Sequence, residues 1–430
     1  MTALPGAKGS MTTKRVLLFL LAAAGSLAIC IRAYVLSFYV EYLGICFGVL
    51  IATIVILKTK IFISRELIMY ITFFLFMVAG LLWVDDFELA LNTTIYPAFT
   101  FVQIMLFYHL LIDTKNAASI VTGVLLGTVI GTLSCIKQSN FPFTYPDDFS
   151  YNAIALIFVS GVIFSMLFLY YTGNRSMGLV LVAVFFVLCV ATGSIKSNVG
   201  LVLGFAISVL VYFRSVRIAS YLRRFWLGTL IILCIVLLAL ARSESFLETL
   251  DTGWERLLLG VEVMRAQDDI AGYSGFAERQ WWVNSAIEGW SRNPIFGYGP
   301  EAFRYKFGMT SHSTYADLLY NTGLIGTALF LGIFVSIFVR LLRLAGKGRS
   351  GVKAVILGGL LCYVFITLSG TMHYNAYLAM FLGVCVPLLK RMKATSLYAK
   401  VRGNGGYNKP LLVDSTCAQC PDMVKEKLEN

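Results

Sequence analysis

Residues 152–171 read NAIALIFVSGVIFSMLFLYY, twenty positions without a charged side chain. At 1.5 Å of rise per residue, such a run makes a helix of about 30 Å, the thickness of a bilayer's hydrocarbon core. Comparable runs recur along the chain, at about 16–31, 34–57, 66–83, 90–112, 118–136 and 177–193. Five more follow at about 199–213, 225–241, 318–339, 354–371 and 374–389. The total is about twelve transmembrane helices, several shorter than the ~20 residues of an untilted span. Composition points the same way. Apolar residues make up 58% of the 430 and charged residues 13%, against roughly 45–50% and 25% in soluble domains. The expected fold is an all-α polytopic membrane protein.

The formal charge of +12 would suggest nucleic acid if it were clustered, so its distribution decides its meaning. With the N-terminus inside, 25 of the 35 Lys and Arg fall on the cytoplasmic side, and seven of the other ten lie in one long loop. Positive residues in short loops mark the cytoplasmic face. Both termini are therefore expected in the cytoplasm, with membrane lipid as the surroundings and no nucleic acid as partner. The expected organisation is helices 1–9 over 1–241, an outer loop over 242–317, helices 10–12 over 318–389 and a cytoplasmic tail over 390–430. The first run has the basic flank of a signal peptide, but the second begins too soon after it for cleavage, so it reads as a helix. No internal repeat is visible, which disfavours an inverted-repeat transporter. Seven of the nine cysteines sit in apolar runs as small hydrophobes. Cys417 and Cys420 form a lone Cys-x-x-Cys without the further ligands of a zinc site.

Chemistry belongs to the outer side. The connection 242–313 is far longer than a connector requires, and such loops are usually functional. Its seven basic residues meet ten acidic ones, so its arginines are individual tools. From Glu278 to Trp290 the spacing is helical, with Trp282, Ala286 and Ile287 on one face, and it breaks at Arg292-Asn-Pro-Ile-Phe-Gly-Tyr-Gly299. Thr314-Tyr-Ala-Asp317 reads as a capping box opening the tenth span, which puts His312 beside a helix N-terminus. That terminus attracts anions and disfavours imidazolium, as a general base beside an anion site requires; a histidine without chemistry is the alternative. Lys196, in Thr192-Gly-Ser-Ile-Lys-Ser-Asn198, reaches the outer interface either to meet phosphate or to snorkel. Arg279 is a candidate cation or a surface partner of Glu278. Glu41 falls inside the second run, where a carboxylate is expensive. The doublets Asp85-Asp86, Asp147-Asp148 and Asp268-Asp269 lack the remaining ligands of a divalent site. No metal or cofactor is expected.

His312-Ser313, nine residues and then Gly323-Leu-Ile-Gly326 resembles the signature of the O-antigen ligase and polymerase superfamily. The stretch Arg279…Asn293-Pro-Ile-Phe-Gly-Tyr-Gly299…Phe303 is similar to the arginine and Pro/Gly turn that precede that histidine. Thr192-Gly-Ser-Ile-Lys-Ser197 matches an earlier interface motif, except that Lys196 stands where most members carry Arg. The resemblance implies a metal-independent, inverting glycosyltransferase of the bacterial inner membrane, with a GT-C-like architecture and a periplasmic loop between helices 9 and 10. It implies an undecaprenyl-diphosphate-linked glycan as donor. The acceptor would be a lipid A–core sugar for a ligase, which the spacing favours, or another lipid-linked glycan for a polymerase. His312 would serve as base, and Arg279, Lys196 and Arg304 would face the diphosphate. A lipid-linked glycan transporter would need no histidine at that helix start.

Overall fold

The computed structural model describes residues 13–34, 39–58, 63–112, 114–139, 151–192, 194–215, 274–344, 350–368, 370 and 375–404. The ninth expected span, the first part of the long outer loop (242–273), Asp147-Asp148, Asp268-Asp269, Cys417 and Cys420 lie outside them. Among the described residues every regular element is helical. The helices are α1 Thr13–Tyr34, α2 Tyr39–Leu57, α3 Arg65–Gly80, α4 Phe87–Ile112, α5 Ala117–Ser139, α6 Tyr151–Thr172, α7 Arg175–Ala191 and α8 Ile195–Ser215. Within the expected loop come α9 Ser274–Arg292 and α10 Ala302–Phe307, followed by α11 Thr314–Arg343, α12 Ser350–Leu368 and α13 Ala376–Asn404. Six of them (α1, α4, α5, α6, α11 and α12) are long and apolar enough to cross a membrane. Large apolar side chains stay exposed on the outer faces of the bundle, Val55, Leu133, Leu210 and Leu342 among them. Lipid, not water, suits that shell. The described residues form an all-helical bundle of the multi-pass membrane type.

With no hydrophobic drive between helices in lipid, close packing and interhelical hydrogen bonds must hold the bundle. Helices α1 and α5 approach along a small-residue stripe that includes the Gly127/Gly131 pair. A Cβ on Gly127 would lie 2.3 Å from the Ala23 carbonyl oxygen, and Ser26 and Thr128 share a hydrogen bond of 2.9 Å across the same seam. Helices α8 and α12 meet where the Ser208 hydroxyl donates to the Ala354 carbonyl at 3.0 Å. The interior is filled by α6 and by α13, whose residues from Tyr377 to Leu389 are all buried. At one end of α11, Arg340 pairs with the buried Glu66 of α3 at 3.1 Å.

Glu41 stands exposed in the first turn of α2, where the helix dipole favours a carboxylate. Asp86 of the first acidic doublet opens α4, its Oδ1 accepting the Leu89 N–H at 2.9 Å.

Candidate functional site

The site is assembled around a break in α11. Gly323 has φ 60° and ψ −162°, which interrupts the helix between Thr322 and Leu324. Interrupting a helix there orphans the pairs that would have bonded four residues apart, Tyr320 C=O with Leu324 N–H and Asn321 C=O with Ile325 N–H. The Pro/Gly turn takes up all four groups. Leu324 and Ile325 donate to the carbonyls of Pro294 and Ile295 at 2.9 and 3.3 Å. Tyr298 and Gly299 donate to the carbonyls of Tyr320 and Asn321 at 3.0 and 2.8 Å. Close approach explains the glycine. A Cβ on Gly323 would lie 2.3 Å from the Ile295 carbonyl oxygen. The two motifs that were separate in the sequence are one interlocked unit.

A small aromatic core fixes α9 and α10 on this unit. Ala286, Ala302, Phe303, Ala316 and Tyr320 are buried together, with Trp282, Tyr298, Phe307 and Val84 packed against them. Tyr298 stacks on Tyr320 at 4.7 Å between ring centroids, and Phe303 meets Tyr320 edge-on at 5.1 Å. Asn321 reaches out of α11 to accept the Phe303 N–H at 2.9 Å, so it caps α10. Arg279 is carried exposed on α9, two residues before the Trp281–Trp282 pair that packs on Phe307.

His312 sits at the N-terminal end of α11 with a left-handed backbone, φ 60°. Non-glycine residues held there are strained and concentrate at functional sites. Its neighbours bracket it. The Ser311 hydroxyl donates to the Ser313 carbonyl at 3.0 Å and accepts the Ser313 N–H at 3.3 Å. The Ser311 N–H donates to Asp317 Oδ1 at 2.8 Å. The expected capping box is not what forms. Ser313 is the N-cap and makes no side-chain cap bond. The Thr314 hydroxyl is committed to the Gly370 carbonyl, and Asp317 lies one residue too far along to close the box.

Lys196 arrives from the start of α8, ahead of the apolar run 199–213. Its Nζ lies against Gly370, where an added Cβ would be 2.8 Å away. Gly370 thus joins the Lys196 amine to Thr314, two residues from His312. Burial lowers the Lys196 amine to about 8, helped by the nearby charge of Arg279. Two cations held within electrostatic range of one another form a place for an anion. Arg304, the other expected diphosphate residue, lies half exposed on α10 with its Nη1 3.9 Å from Glu301.

Two residues stand out that the sequence reading passed over. Gly370 was hidden within the tail of the eleventh apolar run. Glu301 was counted only as one of the loop's ten acids, yet it is 6% exposed and has φ 58°. Burial raises its carboxyl to about 7, the Asp317 charge adds to the rise, and Arg304 opposes it. Among the described residues no three His, Cys, Asp or Glu side chains gather as metal ligands.

Residues 177–331 match the family model described as O-antigen ligase. The matched domain covers about a third of the chain and supports a relationship to the O-antigen ligase and polymerase superfamily. The domain takes in α7, α8, α9, α10 and the first part of α11, and with them Lys196, Arg279, Glu301, Arg304, His312 and the Gly323 break. No curated protein matches the chain.

Proposed function

We propose that the protein is an O-antigen ligase of the bacterial inner membrane, transferring a glycan from undecaprenyl diphosphate to a lipid A–core sugar at the periplasmic face. In this reading the chain crosses the membrane about twelve times, with both termini in the cytoplasm. The observation that carries it is the convergence of Lys196, Arg279 and the His312 turn at the outer end of α8 and α11, within the ligase domain.

His312 takes the proton of the acceptor hydroxyl as that oxygen attacks the anomeric carbon of the donor. A new C–O bond forms there as the bond to the diphosphate breaks, and undecaprenyl diphosphate leaves with the electron pair. One displacement inverts the anomeric configuration. The leaving group already carries its charge well, so the protein needs fixed cations and a base. Lys196 and Arg279 supply the first in a partly desolvated setting, and Arg304 stands in reserve on α10. The mechanism needs no metal.

The decisive test is the lipopolysaccharide pattern of a deletion strain. A ligase deletion removes the whole ladder while lipid-linked polymer accumulates. Core bearing a single repeat would make the protein a polymerase. Purified protein that moves lipid-linked glycan between leaflets without forming a glycosidic bond would make it a transporter.

A further inference from the structure

Glu301 occupies an uncommon position for a carboxylate. It opens α10, yet its side chain makes no cap bond, because Asn321 supplies that contact. It is 94% buried by its 6% exposure, and its Oε2 has no hydrogen-bond partner. Its backbone is held at φ 58°, the same left-handed region as His312. A buried carboxylate with one oxygen left without a hydrogen bond is costly unless it is neutralised. The nearest cation, Arg304, is 3.9 Å away and half exposed, too distant for a hydrogen bond. On α11, Asp317 is also buried, its carboxylate holds the Ser311 amide, and its charge reaches Glu301. Asp85 from the α3–α4 connection and Arg292 from the end of α9 act further along α11, on Tyr320.

We propose that Glu301 is a positioning residue for His312, holding a proton beside Asp317 so that Asp317 stays committed to the Ser311 amide and the His312 turn keeps its shape. The proposal rests on the transfer reading for its consequence in activity, but the carboxyl pair itself does not. Two neighbouring buried carboxyls cannot both ionise cheaply. With Glu301 neutral, Asp317 keeps its charge and its bond to Ser311. When Glu301 loses its proton, repulsion falls on Asp317 and loosens the segment Ser311–Thr314. The elevated carboxyl, about 7, puts that change in the neutral range.

The sign follows from the raised value. A carboxyl whose folded value lies above its unfolded one contributes stability that is complete in acid and is lost as pH rises through the folded value. The test uses the full-length protein purified in detergent, as wild type, Glu301→Gln and Glu301→Ala. Gln imitates the neutral acid at every pH. Hydrogen exchange of the 309–316 segment should accelerate in wild type above about pH 7, beyond the intrinsic rise. In Glu301→Gln it should not, and in Glu301→Ala it should be fast throughout. In the transfer assay, whatever the absolute rates, the alkaline fall in kcat/KM should move from near 7 in wild type to near 8 in Glu301→Gln, where Lys196 discharges. Exchange profiles that run parallel in wild type and Glu301→Gln overturn the proposal. So does an exchange difference with an unmoved alkaline limb. A wild type that transfers no glycan but shows the exchange difference would sink the transfer reading and leave the carboxyl pair standing.

Discussion

Lys196 and His312 make different demands on the residues that replace them. Lys196 presents a point charge, and Arg would keep that charge. Lys196→Arg should therefore keep transfer, whereas Lys196→Met should weaken donor binding by roughly 10- to 150-fold, the loss of a charge-assisted hydrogen bond. Donor titrations of the purified variants read this directly. The pH dependence adds a second check. The amine is lowered to about 8 by burial and Arg279, so the cation is lost as pH rises through that value. In Glu301→Gln, where the earlier fall is removed, kcat/KM should fall above about 8, and adding Lys196→Arg should abolish that limb. For His312 the backbone matters as much as the ring. Alanine is strained at φ 60°, so a defect in His312→Ala mixes lost base with lost shape. Asn tolerates the left-handed region. His312→Asn should fold normally and still lose about 10²–10⁴ in rate, and near-wild-type transfer by that variant would remove the general base from the mechanism. At this scale the motifs named Lys196, Arg279 and His312, and the structure brings Lys196 against Gly370 beside the His312 turn. Glu301 was not legible, because a carboxylate counted along a loop reads the same whether it ends in water or in a core.

The Pro/Gly turn and the break in α11 are the element on which the site depends. Hydropathy sees one continuous apolar segment across Gly323, because a window average cannot register one residue's dihedral angles. The interlock was legible only as two glycine motifs of unstated relation. The turn's carbonyls and amides satisfy the helix ends, so removing the break also orphans the turn. Gly323→Ala combines about 1–3 kcal/mol of positive-φ strain, in a region of φ and ψ that is essentially glycine-only, with a Cβ forced to 2.3 Å from the Ile295 carbonyl oxygen. Gly308 offers an internal comparison. It too is left-handed, φ 80°, but nothing lies within 4 Å of an added Cβ. Gly308→Ala should lower the melting temperature modestly, and Gly323→Ala much more, with loss of transfer. Equal shifts in thermal unfolding would show that the close approach at Gly323 carries no weight. Arg279, held by the same unit through α9, should then lose its relation to Lys196 in Gly323→Ala.

The whole molecule has to place that unit on one side of a bilayer. Eleven of the twelve apolar runs read from the sequence coincide with helices, and the ninth lies outside the described residues. The ends of the helices were less legible, since hydropathy stops where charge begins but a helix need not. Helix α13 runs on to Asn404 through Lys390, Arg391 and Lys393, past the apolar limit near 389. Helix α11, with 30 residues, is about 45 Å long, but the twenty residues after the Gly323 break already span about 30 Å. The segment Thr314–Thr322 is thus free to stand at or beyond the interface, which is where a base acting on a sugar hydroxyl must be. Basic residues fix the direction, since Arg340 and Arg343 close the opposite end of α11. Reporter fusions after Arg217 and Lys400 should therefore report cytoplasm, and a fusion near Asp269 should report periplasm. The periplasmic result carries the functional weight. A lipid-linked polymer and a lipid A–core acceptor can meet only on one face, so an Asp269 fusion active in the cytoplasm would turn His312, Lys196 and Arg279 away from both substrates. Fusions at Asp269 and Lys400 that report the same side would mean an even number of crossings between them, against the three helices assigned there, and would overturn the assigned topology together with the transfer reading.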